Sequence, residues 1–384
     1  MNKIILSAVA VLMMGNTIYA DENIPSAKQN SFLKSIDGYI RVGYQFDDNS
    51  NQDLATGGKL HIQTKSFKGV SAGASFYTTN VVGHINDGAE GFGFFDANNK
   101  SYSILGEAYL LGEFGNTTIK VGRQEIDTPF ADTDDIAMVP NTFEAALLIN
   151  KDLPDTTIIL AQVQRWAGVD APNPSSFEDL NGDDGVQVAS ITYEGIEGLA
   201  LSAWYYYLND FAIDKIFYAD ANYEGEVNGV SYALGVQYAY QNYSASGVDS
   251  ASIYGVSASA GYKGFTLGVA YNKSNDNAAD NGFGGGPFFT SAEVLTLAEG
   301  GVDADAWYVN AELDLDTFGV EGLTFGAGYL NLTDTNNVDS TEFDGYISYA
   351  FNDNLSFNLI YSDVDDDINK DNFTNTRIFV NYSF

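Results

Sequence analysis

The stretch GVSYALGVQYAYQ, residues 229–241, alternates in character from end to end. Tyr232, Leu234, Val236, Tyr238 and Tyr240 fall on one face, and Ser231, Ala233, Gly235, Gln237 and Ala239 on the other. A period of two marks a β-strand, whose successive side chains point to opposite faces. The same pattern recurs in DGYIRVGYQF (37–46), where Ile40, Val42, Tyr44 and Phe46 oppose Tyr39, Arg41, Gly43 and Gln45. It returns in GFTLGVAYN (264–272), AWYVNAELD (306–314) and the terminal TRIFVNYSF (376–384). The apolar faces are long and often end in Tyr or Phe, while the opposite faces are small or polar. A soluble sandwich must bury such apolar faces against a second sheet. A transmembrane barrel turns them to lipid, with aromatic girdles at the interfaces and a polar lumen inside.

About 18 such segments lie between residues 37 and 384, in keeping with the even strand numbers of bacterial barrels. The connections carry an independent signal. The longest, 80–102, 125–142, 166–185 and 274–303, follow odd-numbered strands. Short ones such as SFKG (66–69), EGIEG (194–198), GYKG (261–264) and FNDN (351–354) follow even-numbered strands. Alternation of this kind gathers the long loops at one end, as in outer-membrane barrels. The short LNDFA (208–212) after the ninth strand is the exception. The expected fold is therefore all-β: one transmembrane antiparallel β-barrel, with a soluble sandwich as its rival.

The chain begins MNKIILSAVAVLMMGNTIYA. Lys3, the apolar run Ile4 to Met14 and the small residue Ala20 have the form of a signal peptide over residues 1–20. That run is too short to span a membrane as a helix, and none of sufficient length follows it. Residues 21–36 are polar and read as a short periplasmic lead-in, which leaves 37–384 as the barrel. There is no cysteine, so no disulfide framework holds the fold. The 52 acidic and 17 basic residues give a formal charge of −35. This balance excludes nucleic acid, which needs clustered Lys and Arg, and argues against adsorption to anionic lipid. It suits attraction of cations or simple solvation of exposed loops.

Material for catalysis is scarce. The two histidines are His61, on the polar face of a strand, and His84, in a loop. Neither has a recognisable nucleophile motif nearby, so an embedded hydrolase has little support. No cofactor is expected. Loop-bound calcium remains open, because NGDDG (181–185) and DVDDDINKDN (363–372) offer carboxylates, although both lack the glycine and terminal glutamate of an EF-hand loop.

One segment resists the strand pattern. GRQEIDTPFADTDDIAMVPNTFEAALL, residues 122–148, starts and ends as strand but holds two prolines and Asp127, Asp132, Asp134 and Asp135 between them. GRQ (122–124), the Pro129 region, Asp135, Met138 and PNTFEA (140–145) resemble the outer-membrane porin D family, the OprD-type porins, and so does GEAYLLGEF (106–114). The terminal Phe384 on an alternating strand resembles the signature that the barrel-assembly machinery reads in Gram-negative bacteria. The resemblance implies an outer-membrane channel for passive diffusion of small hydrophilic solutes or ions. It also implies that 125–142, the third long loop, folds into the lumen and narrows it. Asp127, Asp132, Asp134, Asp135 and Arg123 are then the candidate constriction residues.

Arg41 and Arg377 share the polar faces of the first and last strands, which closure makes neighbours. With Lys120 they form a candidate basic strip, and Lys59 and Lys65 extend it. Arg123 shares parity with outward Val121, so it must stand beyond the lipid band or after a bulge. The family commonly carries arginine where this chain has Ala137, and that departure turns the expectation toward cations. Monomer and homotrimer both stay open. The rival function is a structural or adhesive barrel that binds a partner through its outer loops.

Overall fold

The computed structural model describes residues 32–209 and 211–384. A single antiparallel sheet runs from β1 (Leu33–Asp47) to β19 (Asp371–Ser383), each long strand pairing with the next, and the ring is sealed by a β1–β19 ladder. Gly43 lies opposite Phe379 and Gln45 opposite Arg377 across this seam. The backbones of Gly38 and Phe384 exchange hydrogen bonds of 3.1 and 3.0 Å at its end. Eighteen strands form the barrel, most of them close to their expected bounds. The nineteenth, β8 (Glu178–Asp179), was not expected. It pairs with the last residues of β7 (Thr156–Ala167), beyond the point where β9 (Val186–Ile196) leaves that strand.

The two faces sort as the alternation requires. On β12 (Val230–Tyr243), Leu234 and Val236 are each 53% exposed, while Gln237 is 5% and Ala239 1% exposed. An apolar face left open around a whole barrel is a lipid-facing surface, because water would penalise it strongly. Among the described residues no helix is long and apolar enough to cross a membrane.

Tight turns close one end. Asn228–Gly229 and Lys263–Gly264 have φ of 53° and 78°, and 51° and 81°. Positive φ at both central residues makes a type I′ turn, whose twist matches the flanking strands. Glycine at the second position adopts this φ without a Cβ penalty.

Three boundaries differ from the sequence reading. β1 starts at Leu33, because Ile36 still pairs with Ile62 and Leu33 with Thr64, so 33–36 join the barrel rather than the lead-in. Residues 1–20 and most of the lead-in lie outside the described residues. The acidic stretch 363–372 is mostly strand: β18 (Leu355–Asp366) and β19 leave only a short turn, capped by Asp366 accepting from the Asn369 amide at 3.0 Å. The third difference is that β3 (Val70–Asn86) continues well past residue 79.

The loops 125–141 and 276–304 reach each other inside the ring. The first was expected to turn inward, whereas the second was not. Phe130 lies edge-on to Tyr206 on β10 (Leu199–Tyr207) at 5.5 Å, to Tyr218 on β11 (Ile213–Val227) at 5.9 Å and to Phe288 at 6.1 Å. Ala131 and Phe283 bridge the two loops, with hydrogen bonds of 3.2 Å (Asp132 amide to Phe283 carbonyl) and 3.0 Å (Phe283 amide to Phe130 carbonyl).

The lipid face gives a direct test. Val236→Arg, at the centre of an outward row, should destabilise the barrel by about 2–4 kcal/mol, while Asn222→Arg on the lumen face of β11 should cost much less. Denaturant unfolding in lipid vesicles, followed by tryptophan fluorescence, distinguishes the two.

Candidate functional site

Closure of the ring sets up the site. It brings β1 beside β19, and with them Arg41 and Arg377, which are 9% and 1% exposed and face the lumen. Both hold the loop 125–141. Arg41 donates to the two carboxylate oxygens of Asp135 at 2.7 and 2.8 Å, to the Ala137 carbonyl, and to Asn381 at 2.7 Å. Arg377 donates to the Ile136 carbonyl at 3.2 Å and to Glu293 of the second inward loop at 2.5 Å, while Phe92 stacks 4.2 Å from its guanidinium. A planar fork held this way fixes its partners in orientation as well as in distance.

The neighbouring wall is cut to receive the loop. A Cβ on Gly43 would lie 2.6 Å from the Met138 sulfur and 2.9 Å from the Phe94 ring, so the inward face of β1 is bare where Met138 docks. Ala137 and Met138 are fully buried in a cluster with Phe94 and Phe379. The loop thus packs Phe130 against β10 and β11, on the far side of the ring, and Asp135 to Met138 against β1 and β19. Between these ends it bridges the lumen.

The middle of the bridge holds an acidic junction. Asp170, from the loop 168–185, accepts from the Asn141 side chain at 2.6 Å. Asp132 accepts from the Asp134 amide at 2.8 Å, and Asp134 accepts from the Gly285 amide at 3.3 Å. Three loops therefore meet at these carboxyls. Burial, with Asp170 and Asp132 close by, pushes the Asp134 carboxyl up to about 9, so it keeps its proton and donates it toward Asp170. Burial also lifts Asp132 to about 6, with the charges of Asp127 and Asp170 adding to it, and raises Asp170.

The candidate constriction residues are accordingly split. Asp132 and Asp134 share the junction. Asp135 is the counter-ion of Arg41 and Asp127 is exposed. Arg123 is not brought to them. It keeps the outward parity of Val121 at the upper end of β5 (Thr117–Gln124), 3.5 Å from Glu144 and 4.3 Å from the Phe177 ring. It belongs to a rim row that continues through Arg165 to Asp179 on β8, at 3.2 Å.

The basic strip is also divided. Arg41 and Arg377 are neighbours at the seam, whereas Lys120 stands on β5. Its ammonium lies 3.7 Å from Glu107 of β4 (Tyr102–Phe114) and 4.1 Å from the Tyr109 ring centre. Glu107 also meets Lys59 of β2 (Gln52–Thr64) at 3.1 Å, and Lys59 meets Glu125 at 2.7 Å. His61 contacts the Ser75 hydroxyl at 2.7 Å, but that hydroxyl donates to Glu107 at 2.6 Å. A hydrolytic triad needs the acid on the histidine and a free serine, and this order is different.

Four participants escaped the sequence reading: Asp170, Glu293, Glu107 and the loop 276–304. The last had a legible signal. Phe283, Phe288, Phe289, Val294, Leu295 and Leu297 make it too apolar for a solvated loop. The loop is pinned by Glu342 on β17 (Asp339–Ala350), which accepts from the amides of Val294 at 2.9 Å and Leu295 at 2.6 Å.

Comparison with known proteins agrees with this architecture. Residues 95–384 match the family model described as outer membrane porin, OprD family. Among solved structures, Pseudomonas aeruginosa OpdK with vanillate superposes with a TM-score of 0.77 at 17% identity, covering 92% of this chain and 100% of that one. A BenF-like porin from Pseudomonas fluorescens Pf-5 gives 0.77 at 17%, with 92% and 100% covered. Acinetobacter baumannii OccAB1 gives 0.74 at 15%, with 94% and 99% covered. These likenesses bear on the fold. A search of curated protein sequences returns no significant match.

The acidic junction predicts a pH dependence. An unfolded aspartate titrates near 4, so between there and about 9 the folded junction binds more protons. Its cohesion is then complete in acid and is lost as pH rises through that window. Conductance noise from loop motion should therefore grow as pH is raised toward about 9 in single-channel records. Asp134→Asn, which keeps a neutral donor beside Asp170, should flatten the profile.

Proposed function

The chain belongs to the OprD family of outer-membrane porins, and from that premise we propose that its diffusion channel for small solutes prefers cations. As a porin it works by pore size and lumen charge, with no covalent step. The observation that carries the preference is the state of the arginines at the bridge. Arg41 is closed by Asp135 and Arg377 by Glu293, so neither offers free positive charge to a passing anion. The formal charge of −35 leaves the surplus with the carboxylates. Low-dielectric walls around a watery path extend the reach of such charges.

Ala137 does not carry this reading. Its side chain is fully buried against the wall, and only its carbonyl meets Arg41. The paired arginines replace it as the argument.

Export by the signal peptide at residues 1–20 belongs to the same proposal, as does recognition of Phe384 by the assembly machinery. The two hydrogen bonds between Phe384 and Gly38 support the second point, since the terminal residue completes the seam. A barrel blocked by its loops and used for adhesion is the alternative. It draws on the second inward loop, which narrows the lumen beyond what one loop would do.

Planar bilayers under a KCl gradient test both readings. Discrete conductance steps with a cation-selective reversal potential are expected. A reversal potential at zero or of anion sign would overturn the cation preference, and a silent protein that inserts normally would favour the blocked barrel. Selectivity from exposed loop acids should fade as salt rises from about 0.1 to 1 M, where the Debye length shrinks from about 10 to 3 Å.

A further inference from the structure

We propose that Glu107 is a specificity-determining residue of the channel: a built-in carboxylate that occupies a two-lysine site on the lumen wall and keeps solute carboxylates out of it. The proposal rests on the reading of the chain as a diffusion channel and extends it to a single side chain.

Lys59 and Lys120 come from β2 and β5, three strands apart, and both point into the lumen. Glu107 rises from β4 between them. One carboxylate oxygen lies 3.1 Å from the Lys59 ammonium, and the other lies 3.7 Å from that of Lys120. The oxygen facing Lys59 also receives the Ser75 hydroxyl at 2.6 Å. A small carboxylate solute bound at this place would use the same partners. The side chain of Glu107 is 5% exposed, whereas those of Lys59 and Lys120 are 18% and 21% exposed. The acid is thus sheltered behind the two ammoniums, which remain within reach of the passage.

The surroundings make the arrangement a site as well as a pair of bridges. Tyr109 lies under the Lys120 ammonium, and His61 stacks beside its ring at 6.4 Å. Glu125, at the start of the inward loop, meets Lys59 at 2.7 Å and accepts from the Tyr77 hydroxyl at 2.6 Å, and at 35% exposed it is screened more by solvent. Glu107 touches both lysines, and its removal would leave Lys120 without an acid contact and Lys59 with Glu125 alone. A sheltered charge acts on a nearby ion through less screening medium than one at the mouth.

The charge balance gives opposite signs for two substitutions. Glu107→Gln keeps the side-chain shape and the acceptor for Ser75, but removes one negative charge, which uncovers Lys120 and leaves Lys59 balanced by Glu125 alone. The cation-to-anion permeability ratio in KCl should fall by about three- to tenfold, and acetate permeability relative to chloride should rise. Lys120→Gln in the otherwise unaltered protein leaves Glu107 in excess, so the ratio should rise. Reversal potentials are measured in KCl and in potassium acetate, with heat-modifiable mobility on gels reporting a folded barrel.

Opposite shifts in the two variants support the proposal. Unchanged or same-direction shifts in folded protein would overturn it. Because each variant is read against the parent channel, an anion-selective parent would sink the cation preference and leave the Glu107 comparison intact. If Glu107→Gln does not fold, a Lys120→Gln protein that shows no rise is sufficient to overturn the assignment.

Discussion

Hydrocarbon offers no hydrogen-bond partner, and the rest of the structure follows from that constraint. An unpaired strand edge in lipid would leave several costly backbone groups, so the sheet must close. Closure is made by β1 and β19, from opposite ends of the chain. That seam places Arg41 and Arg377 in one corner of the lumen, and the corner is where the bridging loop ends. A requirement of the membrane therefore fixes the position of the two arginines, and the arginines fix the loop.

Burying a guanidinium is expensive unless its hydrogen bonds are met. Arg377 is 1% exposed, and its partners come from two loops, Ile136 from one and Glu293 from the other. Arg41 likewise joins the loop carboxylate of Asp135 to the side-chain carbonyl oxygen of Asn381 on β19. Such positions tolerate few alternatives, since loss of either partner would leave a buried charge unpaired. The inward loops are thus held by polar anchors at one end and by the Phe130 cluster at the other. The anchors set orientation, and the aromatic packing supplies much of the burial.

The strands were legible because lipid and lumen impose opposite demands at every second residue. Tyr232 to Tyr240 could be assigned to a face without any tertiary information. The parity of Arg41 and Arg377 was legible for the same reason. Parity put Arg123 beyond the lipid band or after a bulge, and it stands beside Glu144 and Phe177, whereas its neighbours in the motif had grouped it with the constriction. What parity cannot supply is the partner of an inward group. Arg377 and Glu293 are 84 positions apart, and Arg41 and Asp135 are 94 apart. Asp170 joins Asp134 only once two loops have folded toward each other, and β8 exists only because Arg165 and Trp166 extend past the paired part of β9.

The same distinction governs how formal charge should be read in this chain. A net charge of −35 describes the whole sequence, but an ion in the lumen meets individual groups at short range. Asp135 and Glu293 are spent on arginines, Glu107 on lysines, and Asp134 holds its proton. Several acids nearest the bridge therefore contribute less negative potential than their number suggests, and the cations contribute less positive potential than a basic strip would. The lumen at this level is a set of matched pairs. Selectivity then depends on which pairs are imperfect, so one well-placed carboxylate can outweigh many acids in the outer loops.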